Sequence, residues 1–91
     1  MALQDRYNFD DLVNEAERIV LNELERQLGD GIEAVSEDEI LDMAAYALNS
    51  VRPRYRVNLL GRLYARSTDS EYEAEVQDAV AEAVSKVRSD Q

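Results

Sequence analysis

Read for its apolar positions, the chain divides into three helical stripes. Phe9, Leu12, Val13, Ala16, Ile19, Val20, Leu24 and Leu28 recur at gaps mostly of three and four, and this predicts a helix from about Phe9 to Leu28. Asn8 stands where an N-cap belongs, and Asp10 and Asp11 suit the positive end of the helix dipole. Gly29 suits a left-handed C-terminal position, after which "GDG" breaks the chain. The second stripe is Ile40, Met43, Ala44, Ala47, Leu48 and Val51. It follows "SEDE", in which Ser36 and Glu39 have the spacing of a capping box. Pro53 disfavours helical backbone at Arg52, so this helix is expected to stop near Asn49 or Ser50. The third stripe, Val76, Ala79, Val80, Ala83, Val84 and Val87, predicts a helix from about Ser70 to Arg88, capped by Thr68 or Ser70. Its small side chains permit close approach of a neighbouring helix.

Between the second and third helices, "RYRVNLLGRLYAR" alternates only in part. Tyr55, Val57 and Leu59 fall on one side, and Gly61 interrupts. An extended connector or short strand is expected around 54–60, with Gly61 supplying a turn that needs positive φ. The fold expected is mainly α: three long helices plus this connector, one domain over residues 1–91, packing as a homodimer. The dimer follows from size, because a chain of 91 residues buries only about 60–65% of its unfolded surface.

Charge changes the picture. The chain has 20 acidic and 10 basic residues and a formal net charge of −10. Yet from Met43 to Thr68 there is no Asp or Glu, and Arg52, Arg54, Arg56, Arg62 and Arg66 all lie within that window. An acidic body repels a long polyanion such as duplex DNA, so no strong duplex binding is expected. A local arginine cluster can still hold a small anion.

Other chemistry is narrowed by what the chain lacks. With no cysteine and no histidine, it offers no disulfide, thiol nucleophile or imidazole base, and no metal site is expected. The close carboxylate pairs, such as Glu37 and Asp38, read as solvated helix faces; no catalytic residue is assigned and no enzyme is expected. "MALQDRYNFDD" does not have the form of a signal peptide, and no apolar run approaches the ~20 residues that span a bilayer. A cytoplasmic protein without membrane association is expected.

Two readings of the arginine block compete. In the simpler one, the five cations balance helix carboxylates across the surface, each pair contributing about 0–1 kcal/mol. In the other, the block binds a nucleotide. All five are Arg and none is Lys, which suits bidentate phosphate recognition or stacking, and Tyr55 and Tyr64 offer faces for bases. "RSTD", Arg66 to Asp69, fits an RxxD pattern found in some cyclic-dinucleotide sites, and Arg52/Arg56 and Arg62/Arg66 fit RxxxR. Each pattern is expected about once by chance in such a composition. Tyr46 reads as core or interface, Tyr72 as helix surface or interface, and Asn49 as either a C-cap or a ligand group.

The stretch "AYALNSVRPRYRVNLLGRLYAR" resembles the ComFB family, named from a late competence locus. Its pattern is carried by Ala47, Leu48, Asn49, Pro53, Tyr55, Gly61 and Tyr64, with Asn14 and Glu15 or their neighbours near the start of the upstream helix. The resemblance implies a small, mainly helical homodimer and, for cyanobacterial-type members, a receptor for cyclic di-GMP. Some family members hold zinc with a cysteine cluster between the first two helices. This chain has "GDGIEAVSEDE" there and no thiol.

Cyclic di-GMP presents two phosphates, two guanine faces and two Watson–Crick edges. The candidate ligand-binding residues are Asn49, Arg52, Arg54, Tyr55, Arg56, Asn58, Arg62, Tyr64, Arg66 and Asp69. Among them, Asp69, Asn49 and Asn58 are the candidates for a guanine edge. Arg–phosphate contacts of about 1.5–3 kcal/mol each, with stacking of about 1–3 kcal/mol per base, make a Kd of about 1 μM reachable. The expected function is a signalling receptor that relays the ligand to a protein partner such as a transcription regulator. The alternative is a dimeric interaction module whose arginine block docks an acidic protein. A nucleic-acid accessory role is suggested only by the competence association.

Overall fold

Two separated stretches of backbone, Val13–Asn14 and Tyr55–Arg56, pair just before the first long helix, and this meeting organises the molecule. The structure is a computed structural model and describes residues 2–57 and 70–89. Its elements in chain order are α1 (Leu3–Arg6), β1 (Val13–Asn14), α2 (Glu15–Leu28), a 3₁₀ stretch (Gly29–Ala34), α3 (Glu37–Ser50), β2 (Tyr55–Arg56) and α4 (Ser70–Ser89). The architecture is mainly helical, with three main helices and a two-stranded antiparallel sheet. Val13 pairs with Arg56 and Asn14 with Tyr55.

The first long helix starts later than its hydrophobic spacing predicts. Asn8 does not cap it. The Asn8 side chain accepts the Asp10 N–H at 2.8 Å, and the Leu12 N–H bonds the Phe9 carbonyl at 2.9 Å, closing local turns. Val13 and Asn14 then extend to pair with β2, and Asn14 is the N-cap, its side chain accepting the Ala16 N–H at 3.1 Å. Phe9 and Leu12 are consequently exposed, at 43% and 47%. Sheet pairing with a distant segment has overridden a favourable local helix pattern.

The other boundaries follow their local chemistry. Gly29 ends α2 with φ of 53°, a left-handed value that a side chain disfavours. Ser36 and Glu39 form the complete capping box of α3, which ends at Ser50, just short of Pro53. The buried core is Ala16, Val20 and Leu24 of α2, Met43 and Ala47 of α3, Val51, and Tyr72, Val76, Ala79, Val80 and Ala83 of α4. α4 lies against both other long helices, most extensively against α3. Its Ala79 and Ala83 allow close approach.

Tyr72 is a correction to the sequence reading. It is not on the surface but 1% exposed, among the largest fully buried side chains. Lying four residues before Val76, it extends the apolar stripe of α4 by one turn. Tyr46 is half-buried against the core, and its hydroxyl bonds Glu82 at 3.1 Å. Among the described residues, no helix is long and apolar enough to cross a membrane.

Candidate functional site

Arg52, Pro53 and Arg54 form a short bridge held from two sides. The Arg52 N–H donates to Glu75 Oε2 at 2.8 Å, and the Arg52 carbonyl accepts the Tyr72 hydroxyl at 2.9 Å. Both partners are side chains of α4, one turn apart. The Arg54 N–H donates to Asn14 Oδ1 at 2.8 Å, and the Arg54 carbonyl accepts the Glu15 N–H at 2.7 Å. Those partners are the cap and first residue of α2. All the backbone polar groups of the two arginines are therefore satisfied by two different helices, while Pro53 between them has no N–H to satisfy.

With the backbone fixed, the three described arginines of the block have separate fates. Arg56 is consumed by the fold. Its Nε donates to Glu15 Oε2 at 2.6 Å, its terminal nitrogen pairs with the same oxygen, and its side chain is only 12% exposed. Arg52 is partly engaged, with Nε on Glu75 Oε1 at 2.9 Å and a side chain 63% exposed. Arg54 has no carboxylate partner among the described residues. Its guanidinium carbon instead lies 4.6 Å from the centre of the Tyr72 ring, and that of Arg52 lies 5.6 Å from the same centre. Two cations thus share one aromatic platform.

Glu15 is the buried anion beneath the bridge. It is 6% exposed and also accepts Arg18 Nε at 2.5 Å. Burial by itself pushes its carboxyl up, but the hydrogen bonds and charges of Arg18 and Arg56 outweigh it and hold it below its ordinary 4.5. At Tyr72, burial raises the hydroxyl above its ordinary 10.0; Glu75 adds to this, while Arg54 and Arg52 oppose it. Tyr72 remains a neutral hydrogen-bond donor near neutral pH.

The surface left by this arrangement is an open cleft of about 280 Å³ lined by Arg52, Pro53, Arg54 and Tyr72. Tyr55, in β2, is 65% exposed. Asn49, near the end of α3, is also exposed, and the residue that caps that helix is Val51. Asn58, Arg62, Tyr64, Arg66 and Asp69, with the turn at Gly61, lie outside the described residues. A larger groove of about 420 Å³ lies elsewhere, between α2 and α4; there Arg26 is paired with Glu23.

Among the described residues, simple charge balance therefore describes Arg56 and part of Arg52, but not Arg54. Sequence reading missed Glu75 and Tyr72 as partners of the block. Their spacing, three apart at the start of α4 with one on the apolar stripe, was the available signal for Tyr72. Nothing local marked Glu75 among so many acids. Asn14 came into view only through the family resemblance, without its role. Glu15, which helical periodicity puts on the outer face of the first helix with Glu17, Glu23 and Glu25, is instead buried, because β2 and Arg56 cover it. Among the described residues, no group of three or more acidic, cysteine or histidine side chains is placed to hold a metal. The zinc of some relatives has no fit here, because its thiolate ligands are absent from the chain.

Fold and site together define a small, mainly helical domain that fixes an arginine-bearing connector across the ends of two helices. The chain belongs to the ComFB family: the family model for the late competence development protein ComFB matches residues 13–91. No curated protein matches the chain significantly.

Proposed function

We propose that this protein is a cyclic di-GMP receptor that binds the dinucleotide at the Arg52–Arg54 bridge and acts as a homodimer on a protein partner such as a transcription regulator. The observation that carries this reading is Arg54: it has no carboxylate partner among the described residues and lies on the Tyr72 ring at the edge of an open cleft. A guanidinium held in that way keeps its donors for an incoming phosphate. Family membership supports the ligand class, since the resemblance implies cyclic di-GMP binding for cyanobacterial-type members. The exposed ring of Tyr55 supplies a stacking face on the same connector. Glu75 holds Arg52 Nε, and among the described residues the terminal nitrogens of Arg52 have no hydrogen-bond partner and are available to phosphate. Arg62, Tyr64 and Arg66 belong to the same arginine–tyrosine block in sequence and complete the proposed set.

Exposed Leu3, Tyr7, Phe9, Leu21 and Leu41 support association with a second copy or a partner. Calorimetric titration of the full chain with cyclic di-GMP, beside cyclic di-AMP and GTP, tests the ligand. Micromolar binding selective for cyclic di-GMP is expected. No heat with any of the three removes the receptor reading.

The alternative is an interaction module without a nucleotide, its arginine block docking an acidic partner. It is favoured by the engagement of Arg52 and Arg56 with carboxylates of the chain's own helices. Such a module would give no nucleotide heat while still forming a complex that high salt dissolves.

A further inference from the structure

We propose that Tyr72 is the positioning residue of this site, and that with Glu75 it aligns Arg52 and Arg54 into a paired-guanidinium receptor for phosphate-bearing anions. The inference rests on reading the connector as a ligand site, and it names the buried group that makes the connector competent.

Two neighbouring arginines repel each other, and on a free connector their long side chains would diverge into solvent. Here one buried ring lies beneath both, at 5.6 Å from Arg52 and 4.6 Å from Arg54. The negative face of the ring offsets part of the repulsion. The hydroxyl of the same residue bonds the Arg52 carbonyl, so one side chain fixes both the backbone direction and the position of the two charges. Glu75 completes the arrangement: it takes the Arg52 N–H and Nε and, among the described residues, the terminal nitrogens are left without a partner. Tyr72 is 1% exposed and cannot itself stack on a base. It acts through the arginines. An anion reaching the cleft meets two guanidinium groups already brought together, so less side-chain freedom is lost on binding.

Nuclear magnetic resonance of the full chain, observing arginine side chains, tests this. Without ligand, the Arg54 side-chain resonances are expected to shift upfield from the Tyr72 ring current. The shift should persist in Tyr72→Phe and vanish in Tyr72→Leu. Inorganic pyrophosphate and cyclic di-GMP, added separately, should each move the Arg52 and Arg54 Nε–H signals. Tyr72→Phe should hold cyclic di-GMP affinity within about 3-fold, whereas Tyr72→Leu should weaken it about 10-fold. In an Arg54→Ala background, Tyr72→Leu should weaken it less than it does in the unaltered protein, because the part of its effect that runs through Arg54 is already gone.

Absence of the ring-current shift in the unaltered protein overturns the proposal and needs no variant to fold. Fully additive losses from Tyr72→Leu and Arg54→Ala also overturn it. If pyrophosphate moves both arginines and cyclic di-GMP does not, the dinucleotide reading fails and the anion receptor stands. If neither anion moves them, both fail.

Discussion

Glu15 and Arg56, 41 residues apart, form an ion pair with side chains only 7% and 12% exposed. The pair locks β2 against the first turn of α2, and Arg18 adds a second cation from within the helix. Removing one partner of such a pair leaves an uncompensated charge in a poor environment. Glu15→Gln is expected to cost about 3 kcal/mol of stability at pH 7, measured by urea denaturation. The folded carboxyl lies below its ordinary 4.5, so its stabilisation is fully present above that pH and is lost as pH falls through the folded value. The difference between wild type and Glu15→Gln should therefore be constant above about pH 5.5 and shrink on acidification. A difference independent of pH down to unfolding would mean the pair contributes no charge-dependent stability.

Asn14 is the second fastener, since one oxygen accepts both the Ala16 and the Arg54 N–H. Asn14→Ala should destabilise by about 1–2 kcal/mol, combining loss of a cap with loss of a long-range bond. Asn14→Asp keeps an acceptor at the positive helix end and should recover most of that stability in the same denaturation assay. Equal losses in both variants would show that the side-chain acceptor is not what matters.

Arg54 and Arg56 should separate binding from folding. Arg54→Ala is expected to weaken cyclic di-GMP binding by about 1.5–3 kcal/mol, roughly 10- to 150-fold, with little change in Tm. Arg56→Ala should lower Tm by removing the long-range partner of Glu15, which keeps only Arg18 from its own helix. Glu23→Ala, in the groove between α2 and α4 and away from the bridge, should leave affinity nearly unchanged. Unchanged titration curves for a folded Arg54→Ala protein would move the ligand site off this bridge.

Sedimentation at low micromolar concentration should give about twice the mass of the 10.4 kDa chain. Leu3, Phe9 and Leu12, which line one open apolar groove, are the apolar side chains offered to such an association. A clean monomer at that concentration removes the homodimer from the proposal.

Duplex DNA should bind poorly, because a body of net charge −10 faces a dense polyanion and two of the block's arginines already have carboxylate partners. A mobility-shift assay at sub-micromolar protein and about 150 mM salt should show free DNA. A retarded band there would favour a nucleic-acid accessory role.

The sequence by itself determined the three long helices apart from the start of the first, because periodicity and caps are local; α1 and the 3₁₀ stretch carried no such signal. The second stripe, the Ser36–Glu39 capping box and the stop before Pro53 give α3 almost as observed. The Val76–Val87 stripe gives α4. The acid-free window with its arginines was equally plain. Tertiary structure alone decided where α2 starts and what each described arginine does. Asn8 and Asn14 both precede apolar runs, and the choice between them was made by Tyr55 and Arg56 pairing with Asn14 and Val13. Arg52, Arg54 and Arg56 are alike in sequence, yet among the described residues the guanidinium of one meets Glu75, that of another the Tyr72 ring and that of the third Glu15. Those outcomes depend on partners 18 to 41 residues away. A helix is encoded within a few turns of chain, whereas the freedom of a charge is set by whatever the fold brings beside it.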